Sequence, residues 1–186
     1  MRYTSAHVRM PESSVVNLKN ASHIISAEIE VPEEGASGVI ACQGGNMSGW
    51  TLYLDTSGKV TYHYNCFGQY LTTLSANDKL EGGQHQILLK YDHDGGFGTG
   101  GEANLFINGE KVDQARIDRT VPLVFSMSGE TFDVGVDTGA PVGPYESGFG
   151  FTGKIVEVVL ERIGKRDAAT TKKMEDGMLD AGLKTQ

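Results

Sequence analysis

Residues 48–68 read SGWTLYLDTSGKVTYHYNCFG, and this stretch decides the fold. In its first arm Trp50, Leu52 and Leu54 alternate with other residues, the period of two that indicates a strand with one buried face. The second arm alternates in the same way. Segment 55–58, Asp-Thr-Ser-Gly, joins the arms with residues that tolerate tight-turn backbone angles. The stretch therefore predicts a β-hairpin that buries Trp50 in a core.

Similar short runs follow one another along the rest of the chain. The 25 glycines and 5 prolines fall between β-branched and aromatic runs, as in all-β proteins. Asn108-Gly109, flanked by apolar residues, is the strongest short-range signal for another hairpin. Beyond the two arms we expect strands at 22–31, 38–43, 68–76, 84–91, 103–107, 111–117, 122–125, 131–136 and 153–163. The fold class predicted is an all-β, two-sheet antiparallel sandwich or jelly roll.

The chain of 186 residues suits one domain, with the sandwich over 1–164 and a tail over 165–186. In the tail, Asp167 is a candidate N-cap for a short helix with Met174 and Met178 on one stripe. Docking on the sandwich, pairing with another subunit and fraying all remain open for this tail.

Charge and composition exclude several classes of partner. Against 24 Asp and Glu stand 16 Lys and Arg, a formal net charge of −8, which disfavours nucleic acid and anionic membranes. The amino end lacks the apolar core of a secretory signal, and no apolar run could span a bilayer, so we expect a cytoplasmic protein. Cys42 and Cys66 are expected as buried reduced thiols, with a disulfide between them as the alternative.

Aromatic residues out of phase with Trp50 are the candidates for ligand binding. Tyr53 and His63 alternate with the core positions of the hairpin, and Tyr70 belongs to the next strand. We expect these three to share one face of a sheet, where aromatic rings can stack on sugars, with Asp137 at the rim. The competing interpretation is that such aromatic residues only pack within the protein.

The glycine-rich loop 92–101 is the one candidate for a metal. Asp92 and Asp94, with loop carbonyl groups, could ligate calcium, but two carboxylates supply few of the six or more oxygens that calcium takes. No other cofactor is expected.

Catalysis is not expected. The nearest carboxylates, Glu130, Asp133 and Asp137, are spaced by three and four residues, whereas side chains return to one face of a strand every second residue. The five histidines, at 7, 23, 63, 85 and 93, lie near no nucleophile motif. We therefore predict a non-enzymatic protein.

Five segments resemble, in order, the C-terminal domain of bacterial arylsulfatases, which is similar to concanavalin A-like and laminin G-like sandwiches. They are NLKNASHIISAEIEVPEEGASGVI, GGNMSGWTLYLDTSGKVTYHYNCFG, ANLFINGEKV, FDVGVDTGAPV and FGFTGKIVEVVLE. The resemblance covers about residues 10–161. It implies a concanavalin A-like jelly roll.

The catalytic motif of the sulfatases is missing from the matching segments. That family uses a cysteine or serine followed two residues later by Pro and then Arg, but Gln-Gly-Gly follows Cys42 and Phe-Gly-Gln follows Cys66. The resemblance therefore implies an accessory domain standing alone. We expect a carbohydrate-binding module; the alternative is a protein-interaction or homo-oligomerisation domain that uses the surface inherited from packing on a sulfatase.

Overall fold

The computed structural model describes residues 1–126 and 129–164 and contains eleven strands and one 3-10 helix, at Glu12–Ser14. The strands are Arg2–Tyr3 (β1), His23–Val31 (β2), Gly38–Gly44 (β3), Ser48–Leu54 (β4), Lys59–Cys66 (β5), Tyr70–Lys79 (β6), Gly83–His93 (β7), Gly101–Ile107 (β8), Glu110–Ile117 (β9), Phe132–Val134 (β10) and Lys154–Arg162 (β11).

The strands form two antiparallel sheets. One has six strands in the order β1-β11-β2-β7-β8-β9, and the other has five in the order β10-β3-β4-β5-β6. Every pairing is antiparallel. The predicted two-sheet sandwich is thus confirmed, including the hairpin β4–β5 that pairs Trp50 with Tyr64.

The main core lies between the sheets and follows the predicted alternation. Trp50 and Leu52 of the five-stranded sheet are buried, as are Ile25 and Ile29 of the six-stranded sheet. Burying an aliphatic side chain of this size contributes about 1.5–3 kcal/mol. The one polar atom of the Trp50 ring, Nε1, donates a 3.2 Å hydrogen bond to Gln43 Oε1, so the ring is buried without an unpaired donor.

The turn between β4 and β5 has the predicted chemistry. Gly58 adopts φ 83°, a left-handed conformation that glycine takes without the usual steric cost. Asp55 Oδ1 accepts hydrogen bonds from the backbone N–H groups of Ser57 and Lys59, at 2.8 and 3.0 Å. These bonds hold the hairpin register.

The strand predicted at 122–125 is wrong, because this segment is an irregular loop. Pro122 has no N–H group to give to a sheet, and the N–H of Phe125 bonds the carboxylate of Glu12, at 2.9 Å from Oε2. β1, which pairs with β11, was not predicted.

The two cysteines are free thiols, so the expectation of reduced thiols is confirmed and the disulfide alternative is not. Cys66 lies in the main core, whereas Cys42 belongs to a second apolar cluster with Val39, Tyr53 and Val142. This second cluster lies on the outer face of the five-stranded sheet.

The helix predicted in the tail from Asp167, and the tail of the predicted domain division, lie outside the described residues. Within the part of the chain that the structure describes, no helix is long and apolar enough to cross a bilayer.

Candidate functional site

One row of side chains crosses the whole outer face of the five-stranded sheet. The strand register pairs Asp133 of β10 with Cys42 of β3, Cys42 with Thr51 of β4, Thr51 with His63 of β5, and His63 with Thr73 of β6. Directly paired residues of neighbouring strands lie on the same face. The strand register therefore places four polar side chains and a thiol in one line, on the side of the sheet opposite Trp50.

Segment 137–150, called the roof below, covers the β3–β4 part of this face. Val142 is buried against Val39 and Tyr53, and Tyr145 and Phe149 pack on the same cluster. The Tyr145 ring lies 5.0 Å from the Tyr53 ring, centroid to centroid, at an interplanar angle of 67°. The roof thus shields the part of the face nearest β10.

Polar contacts attach the roof to the sheet. The phenolic oxygen of Tyr145 lies 2.9 Å from both Thr51 Oγ1 and Asp137 Oδ2. Asp137 also accepts hydrogen bonds from the backbone N–H groups of Gly139 and Val142, at 3.3 and 3.1 Å. Burial raises the pKa of Asp137; these hydrogen bonds oppose the rise, and the charge of Asp133 adds to it.

Asp133 is held by donors from three segments. Its Oδ1 accepts a hydrogen bond from the backbone N–H of Arg9, and its Oδ2 accepts one from Thr138 Oγ1 at 2.8 Å and one from Thr131 Oγ1 at 3.2 Å. Both Asp133 and Asp137 are only 1% exposed. The carboxylates therefore have their hydrogen bonds within the protein and do not need an outside partner.

The structure brings two of the three candidate carboxylates, Asp133 and Asp137, together with Cys42. Ligand atoms of Cys42, Asp133 and Asp137 all lie within 4.8 Å of one another. The argument that Glu130, Asp133 and Asp137 do not fit one strand face did not anticipate this contact, because β10 ends at Val134 and the chain turns at Gly135, with φ 86°. Strand alternation holds only within a strand; the glycine was the signal in the sequence for this turn.

These three residues fit a metal poorly. Protein donors already occupy the carboxylate oxygens. Burial raises the pKa of the Cys42 thiol well above its usual value, which keeps it protonated and a weak ligand. A hard cation also prefers oxygen ligands to sulfur. We therefore interpret the cluster as the attachment of the roof.

His63 lies between the roof and the edge strand β6. Its Nδ1 is 2.8 Å from Thr73 Oγ1, while Nε2 has no hydrogen-bonding partner in the described part of the chain. Among those residues the fully buried side-chain polar atom without a partner is the hydroxyl of Tyr91, so Nε2 of His63 retains some contact with solvent. Burial lowers the pKa of His63, so the imidazole is neutral at neutral pH. One ring nitrogen is thus fixed and the other remains accessible.

Hydroxyl groups surround this imidazole toward the edge strand. Thr61 Oγ1 lies 3.1 Å from Ser75 Oγ, in the next cross-strand pair along β5 and β6. Thr73 and Leu71 are exposed on the same face of β6. This part of the face, which we call the open half, presents uncharged hydrogen-bonding groups.

The predicted ligand-binding residues are divided by the structure. Tyr53 and His63 do share the outer face, but both are buried, at 5% and 7% exposure. The roof covers Tyr53, and the His63 side chain lies low on the surface of the sheet. Tyr70 is 45% exposed but pairs with the core residue Cys66, so it has the opposite strand phase from His63 and is not in the row. Asp137 is linked to Tyr53 indirectly: Tyr145 hydrogen-bonds Asp137, and the Tyr145 ring packs on the Tyr53 ring. Their roles in ligand binding stay predictions.

The predicted calcium ligands each have a cationic partner. Asp92 Oδ2 lies 3.6 Å from Lys90 Nζ, and Asp94 pairs with Arg116, which also contacts Glu102 at 3.3 Å. The Arg116 hydrogen bond lowers the pKa of Asp94. Calcium would have to displace this guanidinium group, which argues against a site here, although binding itself stays untested.

A depression separate from the open half lies at one end of the sandwich. It is an open depression with a volume of about 250 Å³. Its walls include Ser37, Ser57, Lys79 and Thr152. The Ser37 N–H bonds Thr152 Oγ1 at 3.0 Å, and the Ser57 hydroxyl bonds Asp55, so part of its polar lining is already paired.

No protein-family model and no curated protein sequence matches the chain. Among solved structures, the chain is similar to the CBM40 domain of the Ruminococcus gnavus IT-sialidase, with 19% identity, 90% of this chain and 88% of that chain covered, and a TM-score of 0.58. It is also similar to domains LG4-5 of the mouse laminin α1 chain, with 15% identity, coverage of 83% and 39%, and a TM-score of 0.56. Botulinum neurotoxin type C matches with 13% identity, coverage of 90% and 38%, and a TM-score of 0.55.

At these identities the likenesses show the fold alone, a jelly-roll β-sandwich. The resemblance to the arylsulfatase domain is supported only at the level of this shared sandwich.

Proposed function

We propose that this protein is a non-catalytic carbohydrate-binding module that binds its ligand on the open half of the outer face. One observation carries the proposal: His63 is oriented by Thr73 through Nδ1, while Nε2 remains accessible for a hydrogen bond. A fixed, uncharged hydrogen-bonding group beside further hydroxyls is suited to sugar hydroxyl groups, which both donate and accept.

The structural neighbours support this function. The Ruminococcus gnavus CBM40 domain is described in a complex with α2,3-sialyllactose, and botulinum neurotoxin type C is described as interacting with two ganglioside molecules. These ligands belong to those proteins; for this chain they support a saccharide as the class of ligand.

Charge favours a neutral saccharide over a sialylated one. The row contains no lysine or arginine, His63 is neutral at neutral pH, and Asp133 stands at one end of the row with Asp137 beside it. The whole chain carries a net charge of −8. Within the row, a sugar carboxylate would therefore meet no guanidinium or ammonium partner, and the net charge of the chain would repel it at long range.

The absence of catalysis is part of the proposal. A glycosidase needs two carboxyl groups that flank the scissile bond in the bound sugar. Asp133 and Asp137 lie close to each other, but both are buried and hydrogen-bonded, and Asp137 is itself part of the roof. This arrangement supports a structural role for the pair.

Binding can be tested with a glycan array that carries neutral and sialylated oligosaccharides, followed by calorimetry on the best ligand. We expect binding of a neutral saccharide, and at least a tenfold weaker affinity for His63→Ala, since a buried polar contact to the ligand is lost. His85→Ala is the matched control, because His85 lies on the six-stranded sheet, and its affinity should equal that of the parent.

Three results would contradict the proposal: no bound glycan, unchanged affinity of His63→Ala, or ligand-induced NMR shifts at Ser57 and Thr152 instead of His63 and Thr73. The third would move the site to the open depression at the end of the sandwich. Hydrolysis of an aryl sulfate or of the bound glycan would contradict the non-enzymatic part.

The alternative is a protein-interaction or homo-oligomerisation domain derived from an arylsulfatase accessory domain. Light scattering of the same sample tests the self-association form, which a monomer would contradict. A cytoplasmic location also remains a proposal, and fractionation of the source cells would test it.

A further inference from the structure

Two hairpin turns contain two successive residues with positive φ, although the loop between β5 and β6 has one residue more, Gln69, than the loop between β8 and β9. In the turn between β8 and β9, Asn108 and Gly109 have φ 51° and 84°. In the turn between β5 and β6, Phe67 and Gly68 have φ 58° and 66°. Two successive positive φ angles are typical of the type I′ turn, for which Asn-Gly is the preferred pair. The second turn carries a bulky aromatic residue where the first carries asparagine.

A phenylalanine in this conformation is strained. The Cβ atom approaches the backbone too closely in the left-handed region, and asparagine tolerates the region better than a bulky residue does. Strain of this kind persists when the surroundings enforce it, and it is found at ligand sites. Phe67 therefore needs an explanation that the turn itself does not supply.

Packing does not explain Phe67. Its side chain is 40% exposed, and it belongs to neither apolar cluster of the described residues. Folding thus carries the cost of the strained backbone without burying the ring in the core.

Hydrogen bonds of the Asn65 side chain hold the backbone of the turn. Asn65 is 5% exposed; its Oδ1 accepts a 2.8 Å hydrogen bond from Gly68 N–H, and its Nδ2 donates a 2.9 Å hydrogen bond to the carbonyl oxygen of Asn46. A buried amide thus connects the strained turn to the preceding hairpin. The aromatic ring stands on a fixed support, which lowers the entropy lost when a ligand binds.

The tip of this hairpin continues the open half. Leu71, 58% exposed, pairs with Asn65, and two residues along the same strand Thr73 pairs with His63. Two residues span about 7 Å along a strand, which is close to the width of one sugar ring. A ligand on His63 and Thr73 that extends by one ring toward the turn reaches Leu71, which is four residues along the chain from Phe67.

We propose that Phe67 forms an apolar subsite, bordered by Leu71, that stacks on the nonpolar face of a sugar ring in the saccharide bound by the open half. This inference rests on the proposed carbohydrate-binding function. A sugar ring matches the surroundings, because it combines an apolar face with hydroxyl groups at its edge. A protein partner would need about 800 Å² on each side, far more than one phenylalanine and one leucine offer.

The test replaces Phe67 by asparagine, the residue that precedes glycine in the turn between β8 and β9. Phe67→Asn relieves the strain and removes the ring, so the urea midpoint should shift upward while the affinity for the glycan-array ligand falls at least fivefold. Phe67→Tyr keeps a ring, and its affinity should stay within twofold of the parent. A variant that both stabilises the fold and weakens binding would not arise from a merely structural residue.

Two matched controls isolate the position of the ring. Asn108→Phe places the same strained aromatic residue in the other turn, and it should lower the urea midpoint with no change in affinity. Phe97→Ala removes an exposed ring from the loop between β7 and β8 of the six-stranded sheet, and we expect its affinity to stay within twofold of the parent.

The outcomes separate this inference from the function on which it rests. Loss of binding in His63→Ala together with full binding in Phe67→Asn would overturn the Phe67 subsite alone. A lower urea midpoint for Phe67→Asn would show that the ring packs structurally and would overturn it without any ligand. A parent that binds no saccharide would overturn both proposals. Co-sedimentation with phosphatidylcholine vesicles that Phe67→Asn abolishes would replace the sugar by a lipid surface.

Discussion

The two halves of the outer face share one sheet and one strand alternation, yet they differ in what completes their hydrogen bonds. In the half beneath the roof, the hydroxyl of Tyr145 reaches both Thr51 and Asp137. In the open half, His63 bonds Thr73 through one nitrogen only. A buried polar residue on this face is therefore not by itself a sign of ligand binding. The informative feature is a hydrogen-bonding atom that the protein leaves without a partner.

Coverage by the roof also explains why Tyr53 is part of a small core while His63 is a candidate for ligand binding. They have the same strand phase, so the sequence treats them alike. The roof packs Tyr145 on the Tyr53 ring, and Tyr53 becomes part of a small core. His63 lies one strand further from β10, toward the exposed edge at Thr73.

The largest effect is expected from removing Tyr145. Tyr145→Ala deletes the ring contact with Tyr53 and leaves Thr51 and Asp137 without their common partner, so the free energy of unfolding should fall by about 2–3 kcal/mol. Tyr145→Phe keeps the ring and should cost about 1 kcal/mol. Urea denaturation measures both.

The matched control lies in the open half. Thr73→Ala, on the same face, should change the free energy of unfolding by less than about 1 kcal/mol, because Thr73 is exposed. Equal costs for Tyr145→Ala and Thr73→Ala would remove the distinction between the two halves.

A smaller effect is expected on stability as a function of pH, with opposite directions for Asp137 and His63. Burial raises the pKa of Asp137 above its ordinary value of 3.8, so its contribution to stability is fully present below pH 3.8 and is lost as the pH rises through the folded-state pKa. Burial lowers the pKa of His63 from 6.5, so its contribution is fully present above pH 6.5 and is lost as the pH falls through the folded-state pKa.

The non-titrating variants Asp137→Asn and His63→Gln isolate these contributions. The free energy of unfolding of the parent minus that of Asp137→Asn should decrease as the pH rises from 3.8. The corresponding difference for His63→Gln should decrease as the pH falls below 6.5. Slopes of the same sign in the two series would contradict the assignment of the two environments.

The smallest effect on stability, and a clear one on binding, is expected from Thr73→Val. The substitution preserves the shape of the side chain and removes the hydroxyl that orients His63. We expect a change in the free energy of unfolding below about 1 kcal/mol and a three- to tenfold loss of saccharide affinity by calorimetry.

Thr72→Val is the control for that substitution, since Thr72 lies on the same strand in the opposite phase and pairs with Tyr64 instead of His63. Its affinity should stay within twofold of the parent. An equal loss in both variants would indicate a general change in β6 and not a loss of the His63 orientation.

Local sequence patterns correctly predicted the buried face of the hairpin and two of the turns. The alternation around Trp50 identified the buried face, and the turns at Gly58 and at Asn108-Gly109 form where these residues favour them. These features depend on neighbours in the sequence, within reach of strand alternation and turn preference.

Features that depend on distant segments were predicted less well. The segment 122–125 is a loop because the carboxylate of Glu12 takes the backbone N–H of Phe125. Asp133 and Asp137 meet because the chain turns at Gly135. Phe67 is an ordinary aromatic residue in the sequence, and only its φ angle marks it as strained.

By itself, the sequence determined the two-sheet sandwich and the face on which Tyr53 and His63 lie, because a period of two needs only local residues. Tertiary structure alone decided that the roof covers Tyr53 and that Thr73 orients His63. The reason is physical: exposure and hydrogen-bond completion depend on which distant segment packs above a face, and strand alternation contains no information about that segment.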